Sequence, residues 1–336
     1  EAITDSRSLL GDFGCQNPES VYKKDNEVYG YDGYRGIEWK YDNNGFNITS
    51  NYKVKSLFDN FGPIWDAPSI YDSKFDEYIT SLSKAVIKQV LLSSATIGAG
   101  TITLVYSTSY GLSLGKFVLI KYRDIQVYGY VTTYDSLGGT IVITLVEDLR
   151  VDANFSIIYK GEVTTISYSA YKKRWSTRYS FVPEYYGAFR KEIVSFVDGK
   201  LFVHDVNSTR NAFHNLTPAK SSISFIVNNI SAGIADKIEM IYRAITIYSR
   251  QTSGANNWSI PIISNYKQLS RLIKSKFVKR EAWWHSQIDR DINSTGGLLN
   301  GNAMRGDVMK FELENDAIEE FILEQIKILG DTSPKS

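Results

Sequence analysis

The sequence predicts a mainly β protein, and three observations carry that expectation. Its 23 tyrosines, 16 phenylalanines and 6 tryptophans are many for 336 residues, and aromatic and β-branched residues favour pleated, half-buried surfaces. The apolar runs are strand-sized, "IVITLV" (141–146) being among the longest. Between alternating segments stand Asp-Gly and Asn-Gly pairs, which supply the positive φ angles that two-residue hairpin turns require.

A chain of this length can bury about three quarters of its unfolded surface, yet it exceeds the size at which one core keeps growing. At least two compact units are therefore expected. With 43% hydrophobic residues, 22% charged residues and a formal charge of +1, the composition excludes disordered and fibrous classes and by itself names no partner. Cys15 is the single cysteine, so an internal disulfide and a Cys-rich metal cluster are both excluded. No apolar run reaches the roughly 18 residues of a membrane-spanning helix. The opening "EAITDSRSLLG" lacks the basic start and apolar core of a signal peptide, and it reads as a cut or processed end.

Taken in order, the same unit recurs along the chain: an alternating strand, a polar turn, an aromatic strand ending in Asp, then a third strand and another turn. In "SVYKKDNEVYGYDGYRGIEWKYDNNGF" (20–46), Asp25-Asn26 turns the first hairpin, Asp32-Gly33 follows the second strand, and Asn43-Asn44-Gly45 closes the third. "PSIYDSKFDEYITSL" (68–82) is read as a further copy with a strand beginning near Glu77, although Phe75, Tyr78, Ile79, Leu82 and Val86 also fit helical spacing. Between 94 and 161 the texture turns to Gly, Ser and Thr around "GTITLVYST", "KFVLIKY", "IQVYGYVTTYD", "TIVITLV" and "FSIIYKG". Five or six short strands with Gly-rich turns predict a small closed barrel. Blade-like sequence returns at "TTISYSAYKKRWSTRYSF" (164–181), so the barrel reads as inserted into a blade; insertion at a surface turn adds little loop entropy.

In "KEIVSFVDGKLFVHDVNSTRNAFHNL" (191–216), Asp198-Gly199 turns a hairpin and Asp205 takes the place of Asp32. Repetition of such meanders is how β-propellers are built. The expected organisation is thus an irregular or partial propeller: blades over 1–93, the inserted barrel over 94–161, and further blades with a C-terminal segment over 162–336. In that last part, strand-like "DKIEMIYRAITIYS" (236–249) precedes the basic "NYKQLSRLIKSKFVKREAWW" (265–284), for which helix and strand both stay open. Six acids from Glu312 to Glu324 could answer its six cations.

Catalytic constellations are few. Paired carboxylates for glycoside hydrolysis need facing positions at a set separation, whereas Asp289 and Asp291, Asp76-Glu77 and Glu192 are neighbours along a strand or single, and adjacent strand residues point to opposite faces. There is no G-x-S-x-G elbow, and Cys15 reads as a small packed residue. His204, His214 and His285 lack metal-ligand spacing; neither a phosphate-cradling loop nor a calcium loop is present. No catalytic, cofactor or metal site is assigned. His204-Asp205 could be half of a catalytic site or the end of a hairpin; set beside "DNEVYGYD" (25–32), Tyr31 stands where His204 stands, which favours the hairpin end. Trp175, Tyr179, Phe181, Tyr185 and Tyr186, with Trp283-Trp284, suit either a stacking surface or, preferably, core packing. Lys274, Lys276, Lys279 and Arg280 are the candidate channel or partner contacts, because Lys and Arg release counterions from phosphate; a solvated face paired with the acidic tail is the plainer reading.

At "GCQNPESVYKKDNEVYGYDGYRGIEWKYDNNG", "YDSKFDEYI", "KRWSTRYSFVPEYY", "SFVDGKLFVHD", "FVKREAWWHSQIDRD" (277–291) and "GNAMRGDVMKFEL" (301–313), the chain resembles the muzzle or nozzle proteins of short-tailed bacteriophages, most closely those of crAss-like phages. Members of that family are much longer, so the resemblance implies a C-terminal portion. It further implies a virion tail protein assembled in the bacterial host cytoplasm: a propeller-like subunit of a distal ring, taken as sixfold, around the channel through which DNA leaves. The implied partners are other copies, neighbouring tail proteins, DNA in transit and the host surface, with no cofactor and no reaction. Two alternatives remain: a receptor-binding module stacking Tyr and Trp on host glycans, and a tail-borne glycan hydrolase.

Overall fold

The computed structural model describes residues 14–51, 54–91, 95–105, 112–135, 139–149, 153–190, 192–214, 218–228, 239–251, 254–294 and 301–333. The chain is mainly β, with several antiparallel sheets, and it divides into two compact units, Glu1–Asp205 and Val206–Ser336. Among the described residues, no helix is long and apolar enough to cross a membrane.

Unit 1 opens with a four-stranded meander of β1 (Tyr22–Lys24), β2 (Glu27–Asp32), β3 (Ile37–Asp42) and β4 (Gly45–Ile48). Its turns are those expected from the polar pairs, with Asp25 at φ 50° and Gly45 at φ 93°. Gly30 in β2 lies opposite Trp39 in β3, and the indole occupies the space a side chain at Gly30 would fill. A short helix α1 (Lys55–Phe61) ends at Gly62, whose φ of 74° suits a residue without Cβ.

Next come β5 (Ile64–Asp66), β6 (Ser69–Asp72), β7 (Glu77–Val90), β8 (Ala95–Gly98), β9 (Thr101–Val105), β10 (Phe117–Tyr122), β11 (Ile125–Asp135), β12 (Thr140–Leu145), β13 (Phe155–Ser169) and β14 (Arg174–Tyr179), all in one sheet. β7 begins at Glu77, and the helical alternative for that stretch falls away because it is a central strand paired with β6 on one side and β13 on the other, with Tyr78 to Ser83 buried on both of its faces. Strands β7 and β13 each serve two layers. Their halves at 77–83 and 163–169 form a four-stranded sheet with β6 and β14, while 85–90 and 155–160 extend past a bulge at 160/163 into the 95–145 strands. The 95–160 segment is therefore an elongation of one hairpin. All its strands share one core, including Val90, Ile102, Leu104, Val118, Ile141, Phe155 and Tyr159. Among the described residues the pairing path ends at β8, which bonds β9 alone; the sheet coils around its core without the ladder closing.

A three-stranded sheet, β15 (Tyr185–Phe189), β16 (Glu192–Val197) and β17 (Lys200–Val203), completes unit 1. Asp198 and Gly199 between β16 and β17 both have positive φ, 50° and 70°, as a two-residue hairpin needs. A buried network fixes this sheet: Ser81 Oγ lies 2.7 Å from Thr165 Oγ1 and 2.8 Å from the Tyr186 hydroxyl, and Thr165 Oγ1 donates to the Phe181 carbonyl.

Unit 2 contains β18 (Ser221–Asn228), β19 (Met240–Gln251), β20 (Trp258–Ser264), β21 (Leu269–Leu272), β22 (Val278–Arg280), β23 (Trp283–Gln287), β24 (Arg305–Gly306), β25 (Val308–Asn315) and β26 (Phe321–Thr332). They form two antiparallel sheets, β18-β25-β20-β21 and one in which β19 pairs β23, β24 and β26. Both sheets contribute to one core, with Ile245 and Trp284 from one and Ile260, Phe311 and Leu313 from the other. The basic stretch left open between helix and strand resolves into β21, a single 3-10 turn at Lys274–Lys276, β22 and β23.

Candidate functional site

The four candidate cations sit at the end of unit 2 where β21 passes into β22. Lys274 pairs with Asp316, and Lys276 pairs with Asp289 at 3.3 Å. Lys279 lies opposite Trp284 in the β22–β23 ladder, its ammonium 5.4 Å from the ring centroid. Arg280 is exposed opposite Trp283. Among the ion pairs of the described residues, Lys274 alone links the basic stretch to the acidic tail; four of the tail's other acids are met by cations outside that stretch, Lys310 on Glu312, Lys220 on Glu314 at 2.7 Å, Arg210 on Glu320 at 3.4 Å and Arg250 on Glu324. Two of the four ammonium or guanidinium groups are thus already paired in the folded chain, and exposed pairs of this kind contribute little stability.

The aromatic run mostly packs inward, because its residues alternate across strands whose inner faces are buried. Phe181, Tyr186 and Trp284 are buried, and Trp175 leans on Phe58 and Tyr168 with its Nε1 donating to the Thr49 carbonyl at 3.0 Å. The Tyr179 hydroxyl is bound to Glu77. Of Trp175, Tyr179, Phe181, Tyr185 and Tyr186, Tyr185 is the one that stands well exposed.

Four of the five carboxylates weighed for glycoside hydrolysis hold structural posts, and Glu192 is exposed at the start of β16. Asp76 accepts from Lys24 at 2.5 Å and from Tyr71, and the Lys24 ammonium first, then the Tyr71 hydroxyl, hold its carboxyl below the usual range. Glu77 accepts from Ser176, Asp289 pairs with Lys276, and Asp291 accepts from the backbone N–H groups of Leu269 and Asn293. Cys15 is exposed rather than packed, its thiol 3.1 Å from the Asn17 carbonyl, since it precedes the first 3-10 turn instead of entering a strand. His204 Nε2 lies 2.8 Å from Ser195 Oγ across the hairpin, and its ring meets Phe181 edge-on. Asp205 is bound to Lys74 at 3.3 Å. The recurrent aspartate turn is found at Asp32 and Asp72 instead, each accepting from the N–H groups two and three residues on. No group of three potential metal ligands occurs among the described residues.

One feature is invisible in the sequence. Turns distant along the chain, 25–26, 43–44, 76 and 170–171, line a polar cleft of about 440 Å³ at one end of unit 1. Three of its four acids are answered by lysines: Lys40 reaches Glu27 at 2.5 Å and Asp42 at 3.0 Å, and Lys24 reaches Asp76. Burial alone would raise the Glu27 and Asp42 carboxyls, but Lys40 and then the Tyr29 hydroxyl hold Glu27, and the Asn44 N–H and then Lys40 hold Asp42, below their ordinary values. The acids of the cleft outnumber the two lysines that pair with them, and the ion pairs tie the turns together.

No protein-family model matches the chain, and no curated protein does. Two crystal structures of an exo-β-1,3-galactanase from Phanerochaete chrysosporium, with galactose and with β-1,3-galactotriose, align with 92% of this chain and 95% of theirs. Their identities are 9% and 8%, both with a TM-score of 0.15, a likeness too slight to bear on fold or activity.

Proposed function

We propose that this chain is a structural virion protein of a short-tailed phage, a subunit of the distal tail ring around the DNA exit channel, acting through shape and contact and carrying out no reaction. The reading rests on the resemblance of the quoted strings to muzzle or nozzle proteins, and one structural observation supports it. Large apolar side chains, among them Tyr185, Phe189, Leu201 and Tyr128, are exposed on the outward faces of sheets, where a subunit that works among neighbours would place them. In this reading β1–β4, the sheet of β6, β7, β13 and β14, and β15–β17 are blades of an irregular propeller, and 95–160 is a barrel-like insertion in the second. The Lys279 and Arg280 charges, left without carboxylate partners among the described residues, are the remaining candidates to face DNA.

The test is composition of the particle. Quantitative mass spectrometry of purified tails should find this chain in a fixed ratio to other tail proteins, and cryo-electron microscopy should place it in a ring at the distal end. Its absence from purified tails would remove the proposal.

A further inference from the structure

The polar cleft at one end of unit 1 has a committed floor and an uncommitted rim. On the floor, Lys24 binds Asp76 at 2.5 Å and the Tyr71 hydroxyl at 2.6 Å, while Lys40 ties Glu27 to Asp42. These bonds join β1, β2, β3, β6 and the turn before β7, so the walls are set before anything enters, and a site set in advance loses little order on binding.

On the rim stand Asp25, Asn26, Asn43, Asn44 and Tyr171. All five are exposed, Tyr171 by 85%. Among the described residues, their side chains make no hydrogen bond, ion pair or ring contact. Turn chemistry does not account for the three amides. Asn is common in turns because it tolerates positive φ and its side chain caps the backbone two residues on. Here the positive φ angles belong to Asp25 and Gly45, and none of the three asparagines has one. The cap of the 42–45 turn is Asp42, whose Oδ1 accepts the Asn44 N–H at 2.8 Å.

We propose that this cleft binds a neutral saccharide, with Tyr171 as the platform for one face of a sugar ring and the amides of Asn26, Asn43 and Asn44 as partners of its hydroxyls. Adjacent sugar hydroxyls each donate and accept, and a carboxamide offers both functions on one planar group. The C–H face of a sugar ring is apolar and suits the face of a phenol whose hydroxyl stays in water. The cleft volume of about 440 Å³ lies within the roughly 300–1,000 Å³ of small-molecule sites. Charge favours a neutral ligand. An anion would meet more acids than lysines, and a cation would find Asp25 as the single lining carboxylate not already paired with Lys24 or Lys40. The proposal does not rest on the ring-subunit reading, and no outcome of its test bears on the composition of the tail.

The test is saturation-transfer difference NMR on the full chain with the methyl glycosides of glucose, galactose, mannose and N-acetylglucosamine, and with arginine amide as a cationic probe. At least one glycoside should receive saturation, strongest at its ring C–H protons, and arginine amide should receive none. Titration of that glycoside against Tyr171→Ala should show an affinity about tenfold lower, equivalent to roughly 1.4 kcal/mol; Tyr171→Phe keeps the ring and should retain binding. Asn26→Ala and Asn43→Ala should each lower affinity about two- to tenfold, the loss of one hydrogen bond. Tyr34→Ala, at an exposed tyrosine outside the cleft, should change nothing. All these side chains are exposed, and unchanged melting curves check that each variant folds. Saturation of none of the glycosides, preferential binding of arginine amide, or binding that survives Tyr171→Ala overturns the proposal.

Discussion

Glu38 is a fully buried carboxyl in β3, with Oε2 lacking any hydrogen-bond partner and Thr49 Oγ1 3.5 Å from Oε1. Burial pushes its pKa well above the ordinary 4.5, so the folded chain holds a proton that the unfolded chain releases. Below pH 4.5 both states are protonated and nothing is lost. As pH rises from there toward the raised folded value, stability falls by about 1.4 kcal/mol per pH unit for this one proton. Glu38→Gln should remove that slope: urea melts of the two proteins should diverge with rising pH above 4.5, and parallel pH dependence would show that Glu38 is ionised in the fold. Gly30 makes a steric prediction. A Cβ there would come within 2.4 Å of the Trp39 ring, so Gly30→Ala should destabilise unit 1 by about 1–3 kcal/mol through overpacking, read as a lower denaturation midpoint.

At the scale of elements, β7 and β13 join two cores that share no residue. Every residue of the coiled-sheet core lies between Val86 and Tyr159. The clusters built on Tyr31, Phe58, Leu82 and Ile166 and on Tyr29, Tyr71, Tyr78 and Tyr168 lie outside that span. Ala85 is the direct partner of Lys160, so joining them with an Asn-Gly turn should close a hairpin and excise 86–159. The shortened chain should retain near-ultraviolet circular dichroism and a cooperative melt. Loss of both would mean that the insertion supports the sheet it leaves. In the cleft, Lys40→Met strands Glu27 and Asp42, and it should destabilise unit 1 by about 1–3 kcal/mol at neutral pH. The loss should shrink as pH falls through the depressed pKa values of those carboxyls, because their stabilisation exists above the ordinary carboxylate range and disappears on protonation.

For the whole molecule, the two compact units have separate cores. Unit 2 packs its sheets around Ile245, Trp258, Ile260, Met309 and Phe311, and among the described residues every member of that core follows 206. Residues 1–205 and 206–336 expressed separately should each melt cooperatively, and a non-cooperative melt of either would make that unit dependent on the other.

Local chemistry made much of this legible in advance. Strand identity follows from aromatic and β-branched alternation, and hairpins follow from Asp and Gly at positive φ, so β2–β3, β9–β13 and β16–β17 were readable residue by residue. The texture of 94–161 differs from the sequence on both sides, but the closed barrel expected there is an open ladder among the described residues, continuous with β7 and β13. What tertiary structure decided was pairing between distant segments. The basic stretch offered both helical and strand spacing, and its burial against β19 and β20 selected strands. The Asp32 turn recurs at Asp72 and not at Asp205, since only the first two are buried at a strand-to-turn junction where backbone N–H groups need an acceptor. The turn-lined cleft joins residues up to 147 positions apart, Lys24 to Tyr171. A one-dimensional pattern shows which face of a strand is apolar, but whether a second layer covers that face depends on where the rest of the chain goes.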